Sequence, residues 1–405
     1  MNRPLEPSLI VSTLYFLFIV NTEAWNLMLP PSLRIKLGGE QALRFDCETF
    51  SKSFLPTSSF HWACDVTQGY EIPTLVFQIM SNFTEIHSTI WLPNYGDSDS
   101  LDAFASVLHK NAELLQGIHV STQLWPRAPC HGIHITRDEI SSLLSSSSSS
   151  YSRIDDASSE SQQMLAIQAT EMWVNNTLCG LKLCPHTSSL SRAAVGLEAA
   201  SIQMGSIGIR TTRTGYNFPL KVTTSSSVAR TAAAILVAAS FWASVTELVT
   251  TSEKDLATIL LLAPPAYDSN FQEFITVCDD LIEATVQVFK ADRWVGKAWF
   301  HPLYNGADIG HKDILPGHAL PASMVQKFMM QSQHESDAKL EIPDLSDIAQ
   351  ANDEVRKTPH ATINLLRRSQ LQAAKLVEAS SPNKKPNSIY VRNVIKILKN
   401  RELNS

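Results

Sequence analysis

Apolar and polar positions follow clear patterns in the second half of the chain. The run TILLLAP (258–264) is continuously apolar, as in a strand covered on both faces, and WVGKAWF (294–300) is a second strand-like run. Residues 268–290 carry an apolar stripe at helical spacing, whereas 227–249 are apolar nearly all round, which predicts a core helix. With a further strand over 206–213, the order predicts an α/β fold: a small parallel strand-helix-strand-helix-strand sheet covered by helices.

Two more helices are predicted after this sheet. Thr358 as an N-cap, followed by Pro359 at the first helical position, predicts a helix that runs through HATINLLRRSQLQAAKLVE (360–378). Arg367 would then lie about two turns inside that helix. A last helix is predicted over 386–400, and the acidic, Pro-containing stretch between the last strand and Thr358 is predicted to be an irregular surface insertion.

A serine-rich stretch at 145–161 without apolar periodicity predicts a flexible linker. It separates residues 45–144 from a domain of ordinary size at 162–400. The first of these regions is expected to be an N-terminal extension of uncertain α+β structure and unknown role. Its predicted elements are, in order, a strand in 73–80, a strand in 88–95, a helix over 100–116 and a strand in 117–125.

One echo links the two regions. STIWLPNYGDSDS (88–100), a helix and STQLWP (121–126) loosely resemble ATILLLAPPAYDSN (257–270), a helix and AWFHP (298–302). A decayed duplication would explain the echo. Two strand–helix–strand units that converged by chance are the simpler explanation.

The N-terminus resembles a targeting segment. Residues 1–24 combine a positive start, a twelve-residue apolar run at 9–20, and small residues at Thr22 and Ala24, which predicts a secretory signal peptide. The run is too short to span a bilayer. Residues 25–44 begin with an aromatic residue followed by a basic, Pro-containing stretch, like the presequences of algae with complex plastids. Transport to the plastid is therefore predicted, with secretion as the alternative.

The amino-acid composition limits the kinds of partner to be expected. The apolar content of 44% is that of a globular protein, and the net charge of −6 gives no reason to expect a nucleic-acid partner. Six cysteines spread between Cys47 and Cys278 do not resemble a compact secreted disulfide framework. Arg230 and Glu247 flank the short apolar stretch of the core helix, so no membrane span is predicted in the mature chain.

Four stretches of residues 162–400 match one family pattern in order. They are GLKLCP seven residues after Trp173, then TILLLAP, then AWFHPLY, and finally TPHATINLLR leading to NSIYVRNVIKIL. Together they resemble the uncharacterised bacterial and plastid family known as domain of unknown function 1415. This family has no established activity, so the resemblance supplies candidate positions only. His186, Lys357 and Arg368 depart from the family pattern, which implies that a family site would be modified in this chain.

Two residues are candidates for catalysis. Cys184 lies at a helix-to-loop transition beside a proline and is a candidate nucleophile, with a packed core thiol as the alternative. His301 directly follows a predicted strand, and open parallel sheets bind ligands at the carboxyl ends of their strands. The alternative for His301 is a ring that bonds a backbone carbonyl. Tyr304 is a nearby candidate hydrogen-bond donor.

A candidate anion site lies at the start of the helix predicted after Pro359. Thr358, Lys357 and the free N–H groups of the first helical turn would form it, and Arg367 would bind a carboxylate or phosphate. The alternative for Arg367 is a solvated helix arginine. No metal site is predicted, and the cofactor is left unknown. Zinc bound by Cys179, Cys184, His186 and His301 is the alternative: the ligand types suit zinc, but a helix end lies between the two cysteines.

These inferences predict a soluble organellar protein with a site for a small anionic metabolite at the carboxyl edge of the sheet. Whether the protein turns over that ligand is left open. The alternative is a non-catalytic plastid protein for binding or assembly, in which the N-terminal extension and the acidic insertion would contact partners.

Overall fold

The structure is a computed structural model in which the chain forms two compact units, residues 1–148 and 149–405, called unit 1 and unit 2 below. The predicted signal peptide, transit segment and Ser-rich linker lie outside the residues that the structure describes. The described residues are 58–63, 66–81, 87–124, 130–138, 165–170, 172–181, 183, 202–204, 227–253, 256, 258–306, 320–333, 342–372, 376 and 388–404.

Unit 1 contains a four-stranded sheet with the order β1-β2-β4-β3. The β1–β2 pair is parallel, and β4 is antiparallel to both β2 and β3. Its elements are β1 (Ser58–Trp62), α1 (Glu71–Ser81), β2 (His87–Leu92), α2 (Ser98–Lys110), β3 (Ile118–Leu124) and β4 (His131–Arg137).

One expectation for unit 1 is wrong, and two of its strands, β1 and β4, were not predicted. Residues 73–80 belong to helix α1 rather than to a strand, because ten of the eleven residues of α1 are buried and no apolar period distinguishes helix from strand. Strand β4 was not expected, because its histidines resemble a polar cluster. Its alternate residues Ile133 and Ile135 are nevertheless buried in the core. Helices α1 and α2 meet through an edge-to-face contact of Phe77 and Phe104, whose ring centroids lie 5.9 Å apart.

Unit 2 contains a second four-stranded sheet, with the order β5-β6-β8-β7. The π-helical segment Val174–Gly180 precedes the sheet. Two segments fall outside what the structure describes, namely the strand expected at 206–213 and residue Cys184. The main elements are β5 (Ile202–Met204), α3 (Ser227–Thr250), β6 (Thr258–Leu262), α4 (Phe271–Thr276), a π-helical segment (Val277–Glu283), α5 (Ala284–Val288), β7 (Val295–Phe300), α6 (Ala322–Gln333), α7 (Leu345–Glu354), β8 (Thr362–Arg367) and α8 (Ser388–Asn404).

The predicted parallel sheet is wrong. Among the strands that the structure describes in unit 2, only β5 and β6 pair in parallel, and β8 lies antiparallel between β6 and β7. The error comes from Thr362–Arg367, which was predicted to be helical but forms β8. The hydroxyl of Thr358 does not cap a helix, since it donates to the carbonyl of His360 at 2.6 Å. Strands β6 and β7 still run in the same direction, so their carboxyl ends share one edge of the sheet.

Helix α3 is the core helix that the sequence predicts. Length and composition would let Arg230–Thr250 cross a membrane, but 83% of its most apolar window is buried inside the protein. Trp242 is fully buried, and its indole N–H donates to the hydroxyl of Thr285 at 3.2 Å. This packing is typical of the central helix of a globular core.

The stretch between β7 and β8 is not irregular throughout, as the sequence suggested, because it contains α6 and α7. Asp344 caps α7 by accepting a hydrogen bond from the N–H of Asp347 at 3.0 Å. Helices α6, α7 and α8 enclose a small hydrophobic core of their own around Val325, Ile348 and Val394. The insertion is therefore a helical layer that packs with the C-terminal helix.

Candidate functional site

Three loops of unit 2 meet at one edge of its sheet. Leu262 at the end of β6 and Phe300 at the end of β7 both pair with Thr362 at the start of β8. The N–H of Ala263 donates to the carbonyl of Ala361 at 2.8 Å, which extends the pairing by one residue. The turns after β6 and β7 and the segment before β8 therefore lie next to each other, and this edge is called the carboxyl edge below.

A histidine and an aspartate form a hydrogen-bonded pair at the carboxyl edge. Nδ1 of His360 lies 2.7 Å from Oδ2 of Asp268, and the two side chains are 26% and 22% exposed. The other carboxylate oxygen, Oδ1, accepts the N–H of Ala361 at 2.7 Å. Because a carboxylate only accepts hydrogen bonds, Nδ1 carries the proton and Nε2 presents its lone pair. The pair has the arrangement of an oriented acid–base group.

The backbone of His360 is held in place by its neighbours. The hydroxyls of Thr358 and Thr362 both donate to the carbonyl oxygen of His360, at 2.6 and 2.7 Å. Both threonine side chains are buried. Thr358, predicted to bind an anion, is therefore a residue that positions His360 in this structure.

Asp268 is also fixed by local structure. It follows the 3-10 turn Pro265–Tyr267, and its N–H donates to the carbonyl of Pro265 at 3.0 Å. Two residues later Asn270 caps α4, accepting the N–H of Glu273 at 3.1 Å. Asp268 is thus held between a turn and a capped helix.

His301 lies at the same edge but faces the interior. Its side chain is 0% exposed, Nε2 donates to the carbonyl of Tyr267 at 2.7 Å, and Nδ1 accepts the N–H of Leu303 at 3.0 Å. Burial lowers the pKa of His301, and this effect outweighs the opposing influence of the Tyr267 carbonyl and of Asp268. Both ring nitrogens are used by the protein, as in the alternative considered for this residue.

Tyr304 is also buried, with 1% exposure. Burial raises its pKa to about 12, while the guanidinium of Arg356 acts in the opposite direction and Asp353 adds to the rise. That guanidinium lies 5.9 Å from the centroid of the Tyr304 ring, and the carbonyl of Arg356 accepts the N–H of His301 at 3.0 Å. Tyr304 and Arg356 thus help attach the helical insertion to the carboxyl edge.

Lys357 and Arg367, the two predicted anion-binding cations, are placed differently. Lys357 is exposed, three residues before His360. Arg367 is the last residue of β8, and its guanidinium donates to the carbonyls of Leu256, Thr251 and Ser252, at 2.7, 2.6 and 3.2 Å. It is 8% exposed and lies at the opposite end of its strand from Thr362, so it is not brought to the carboxyl edge.

A further cation lies near the site. Arg230, in the first turns of α3, is exposed and close enough to Glu273 to lower the pKa of that carboxyl, although burial raises the pKa by more. Helix α3 runs back along the sheet to β6, and its N-terminal end therefore lies on the side of the carboxyl edge. Arg230 was expected only to flank the apolar stretch of the core helix.

Sequence reasoning missed the two central residues. Asp268 was part of the start of a predicted helix, and His360 was placed in the first turn of a helix that in the structure begins only at residue 368, after β8. The available signal was TPHA preceding an alternating run, which fits a loop followed by a strand. Among the described residues, no group of three or more His, Cys, Asp or Glu side chains is placed to hold a metal ion.

Comparison with known proteins adds no further assignment. No family model, no curated protein and no solved structure matches this chain.

Proposed function

We propose that unit 2 binds a small anionic metabolite at the carboxyl edge and that His360 acts on it as a general acid–base group. Asp268 is the residue that orients the ring. The observation that carries this proposal is the 2.7 Å contact between Nδ1 of His360 and Oδ2 of Asp268 on a partly exposed side chain.

The chemistry of the pair supports proton transfer. A carboxylate on Nδ1 fixes the tautomer and stabilises the imidazolium that forms when Nε2 takes a proton. A ring oriented in this way can take a proton on Nε2 and give it back, which is the role of a general base and acid. The two threonine hydroxyls on the His360 carbonyl limit movement of the backbone, which favours a fixed geometry for the reaction.

The charges at this edge support an anionic ligand. Arg230 and Lys357 are exposed cations, and His360 adds a positive charge whenever it is protonated. Guanidinium and ammonium groups bind carboxylates and phosphates through charge-assisted hydrogen bonds. Asp268 keeps its negative charge, but both of its oxygens are engaged, by His360 and by the N–H of Ala361, so Arg230 and Lys357 are the charged side chains offered to a ligand.

The cellular setting is proposed from sequence features alone. Residues 1–44 favour delivery to a plastid, and the resemblance of residues 162–400 to domain of unknown function 1415 suggests a role shared by bacteria and plastids. The alternative is a non-catalytic plastid binding or assembly protein. Binding of a ligand at the carboxyl edge that does not depend on His360 would support this alternative.

The experiment is a titration of the full-length protein by histidine side-chain NMR. Oxalate and inorganic phosphate serve as probes, and the signals of His360 are assigned with a His360→Gln variant. We expect the Nδ1-protonated tautomer in the free protein, a shift of the Nε2 signal on adding a probe, and at least tenfold weaker binding in His360→Gln and in Asp268→Asn.

A matched control exists in unit 1. His119 lies 3.4 Å from Asp138, but these side chains are 62% and 57% exposed and form no buried arrangement. His119→Gln should bind both probes like the unchanged protein. Equal binding by the His360→Gln and His119→Gln variants would contradict the proposal and favour the non-catalytic alternative.

A further inference from the structure

The two units share one chain topology. Each has the strand order 1-2-4-3 when its strands are numbered within the unit, with a parallel first pair and a last strand that is antiparallel to both neighbours. Each connects its first two strands through a helix, α1 or α3, and its second and third strands through helical segments. Two independent folds would not be expected to share every pairing direction.

A buried arginine occupies the same place in both sheets. Arg137 ends β4 and pairs with Ile118, the first residue of β3, just as Arg367 ends β8 and pairs with Val295, the first residue of β7. They are 6% and 8% exposed. An arginine so enclosed is rare unless it is fully paired.

The two arginines also make equivalent hydrogen bonds. The guanidinium of Arg137 donates to the carbonyls of Ile79 and Met80, at 3.0 and 2.7 Å, in the last turn of α1. Arg367 donates to the carbonyl of Thr251, at 2.6 Å, immediately after α3. In each unit the cation therefore satisfies carbonyls at the C-terminal end of the helix that leads into the second strand, where the helix dipole favours positive charge.

When the two units are aligned on this arginine, their equivalent residues can be compared. Ile133 and Ile363 then occupy one position, as do Ile135 and Leu365, and all four are buried. The same register places Cys130 where unit 2 has His360. In the turn after the second strand, the same register places Asp97 where unit 2 has Asp268, but Asp97 caps α2 by accepting the N–H of Ser100 at 3.1 Å, so the histidine is the member of the pair that unit 1 lacks.

We propose that the units are diverged copies of one duplicated fold, in which both keep the arginine as a positioning residue and only unit 2 keeps the acid–base pair. Unit 1 is then a structural copy without a catalytic site. The assignment of the site to unit 2 rests on the function proposed above, whereas the equivalence of the arginines does not.

The arginine equivalence is tested by hydrogen exchange in the full-length protein. Arg137→Met should speed exchange of amides in the last turn of α1 about tenfold or more, and Arg367→Met should do the same at the end of α3. Each effect should stay within its own unit, while Lys110→Met, on the exposed face of α2, changes neither. If a Met variant fails to fold, Arg137→Lys or Arg367→Lys should give a smaller effect at the same helix end.

The division of function is tested in the same experiment with oxalate and phosphate added. Protection is expected in residues 263–270 and 356–362 and not in 93–97 or 130–137. Protection in unit 1 would overturn the division, and protection in neither unit would overturn it together with the proposed function. Unchanged exchange at the end of α1 in Arg137→Met would overturn the equivalence of the two units, whatever the probes bind.

Discussion

His301 is expected to stabilise unit 2, and replacing it with phenylalanine tests this directly. The ring is of similar size, so the change mainly removes two hydrogen bonds, one to the carbonyl of Tyr267 and one from the N–H of Leu303. A buried polar group left without its partner costs about 1–3 kcal/mol. Leu303 is exposed and its amide can turn to water, so the unpaired carbonyl of Tyr267 sets the cost, and we expect a loss of about 1–3 kcal/mol in the free energy of unfolding.

The same residue makes stability depend on pH. Burial lowers the pKa of His301 in the folded state below its ordinary value of about 6.5. The unfolded chain therefore binds the proton more readily, and stability is lost as the pH falls from about 6.5 toward the folded pKa, at up to about 1.4 kcal/mol per pH unit. The His301→Phe variant lacks this contribution and should show a shallower decline over that range.

Urea unfolding read by pulsed hydrogen exchange is the suitable assay, because its peptides report the two units separately. The loss should appear in peptides that cover β7 and be absent from unit 1. His360→Phe is the matched comparison: the ring is partly exposed, so this variant should lose about 1 kcal/mol or less but lose probe binding. A His301→Phe protein within about 0.5 kcal/mol of the unchanged protein, with the same pH slope, would refute the structural role.

Three further substitutions have outcomes set by the packing and the local contacts. Gly132→Ala would place a Cβ 2.7 Å from two ring carbons of the buried Trp91 and should cost about 1–3 kcal/mol by urea unfolding, whereas Gly96→Ala meets nothing within 4 Å and should be near neutral. If Gly132→Ala and Gly96→Ala lowered the free energy of unfolding equally, the contact with Trp91 would not be the cause of the loss. Asn270→Ala removes the cap of α4 and should cost about 0.5–2 kcal/mol, seen as faster exchange in its first turn; unchanged exchange would contradict the cap. Arg401→Ala breaks a partly exposed ion pair between α8 and α7 and should cost only about 0.2–1 kcal/mol, so a loss above 2 kcal/mol would show that the pair is more than a surface contact.

Most buried elements of unit 2 could be predicted from the chain itself. The continuous apolar run of β6 and the all-round apolar surface of α3 have no other stable placement in water than a core. The weak point was Thr362–Arg367, because the preceding Thr358 and Pro359 fit a helix start as well as a loop before a strand. This segment forms a strand because it pairs with β6 on one side and with β7 on the other. Such long-range pairing cannot be recognised from the local sequence.

The same limit explains why His301 stood out in the sequence and His360 did not. His301 follows a strand that is easy to recognise, so it was placed at a sheet edge, and the edge is where it lies. The sequence does not show which way the ring turns: the carbonyl of Tyr267 that holds it inward belongs to a turn 34 residues away. His360 could not be placed without β8, because its position at the edge depends on that strand's register.

Three loops meet at the carboxyl edge although the sheet is not parallel. Strands β6 and β7 run in the same direction because each is preceded by a helix that returns the chain, and β8 enters between them from the opposite direction. An antiparallel strand starts where its neighbours end, so the segment before β8 joins the turns after β6 and β7. Asp268 and His360, 92 residues apart in sequence, are brought together by this inserted strand. A parallel neighbour in its place would have put the residues before that strand at the far end of the sheet.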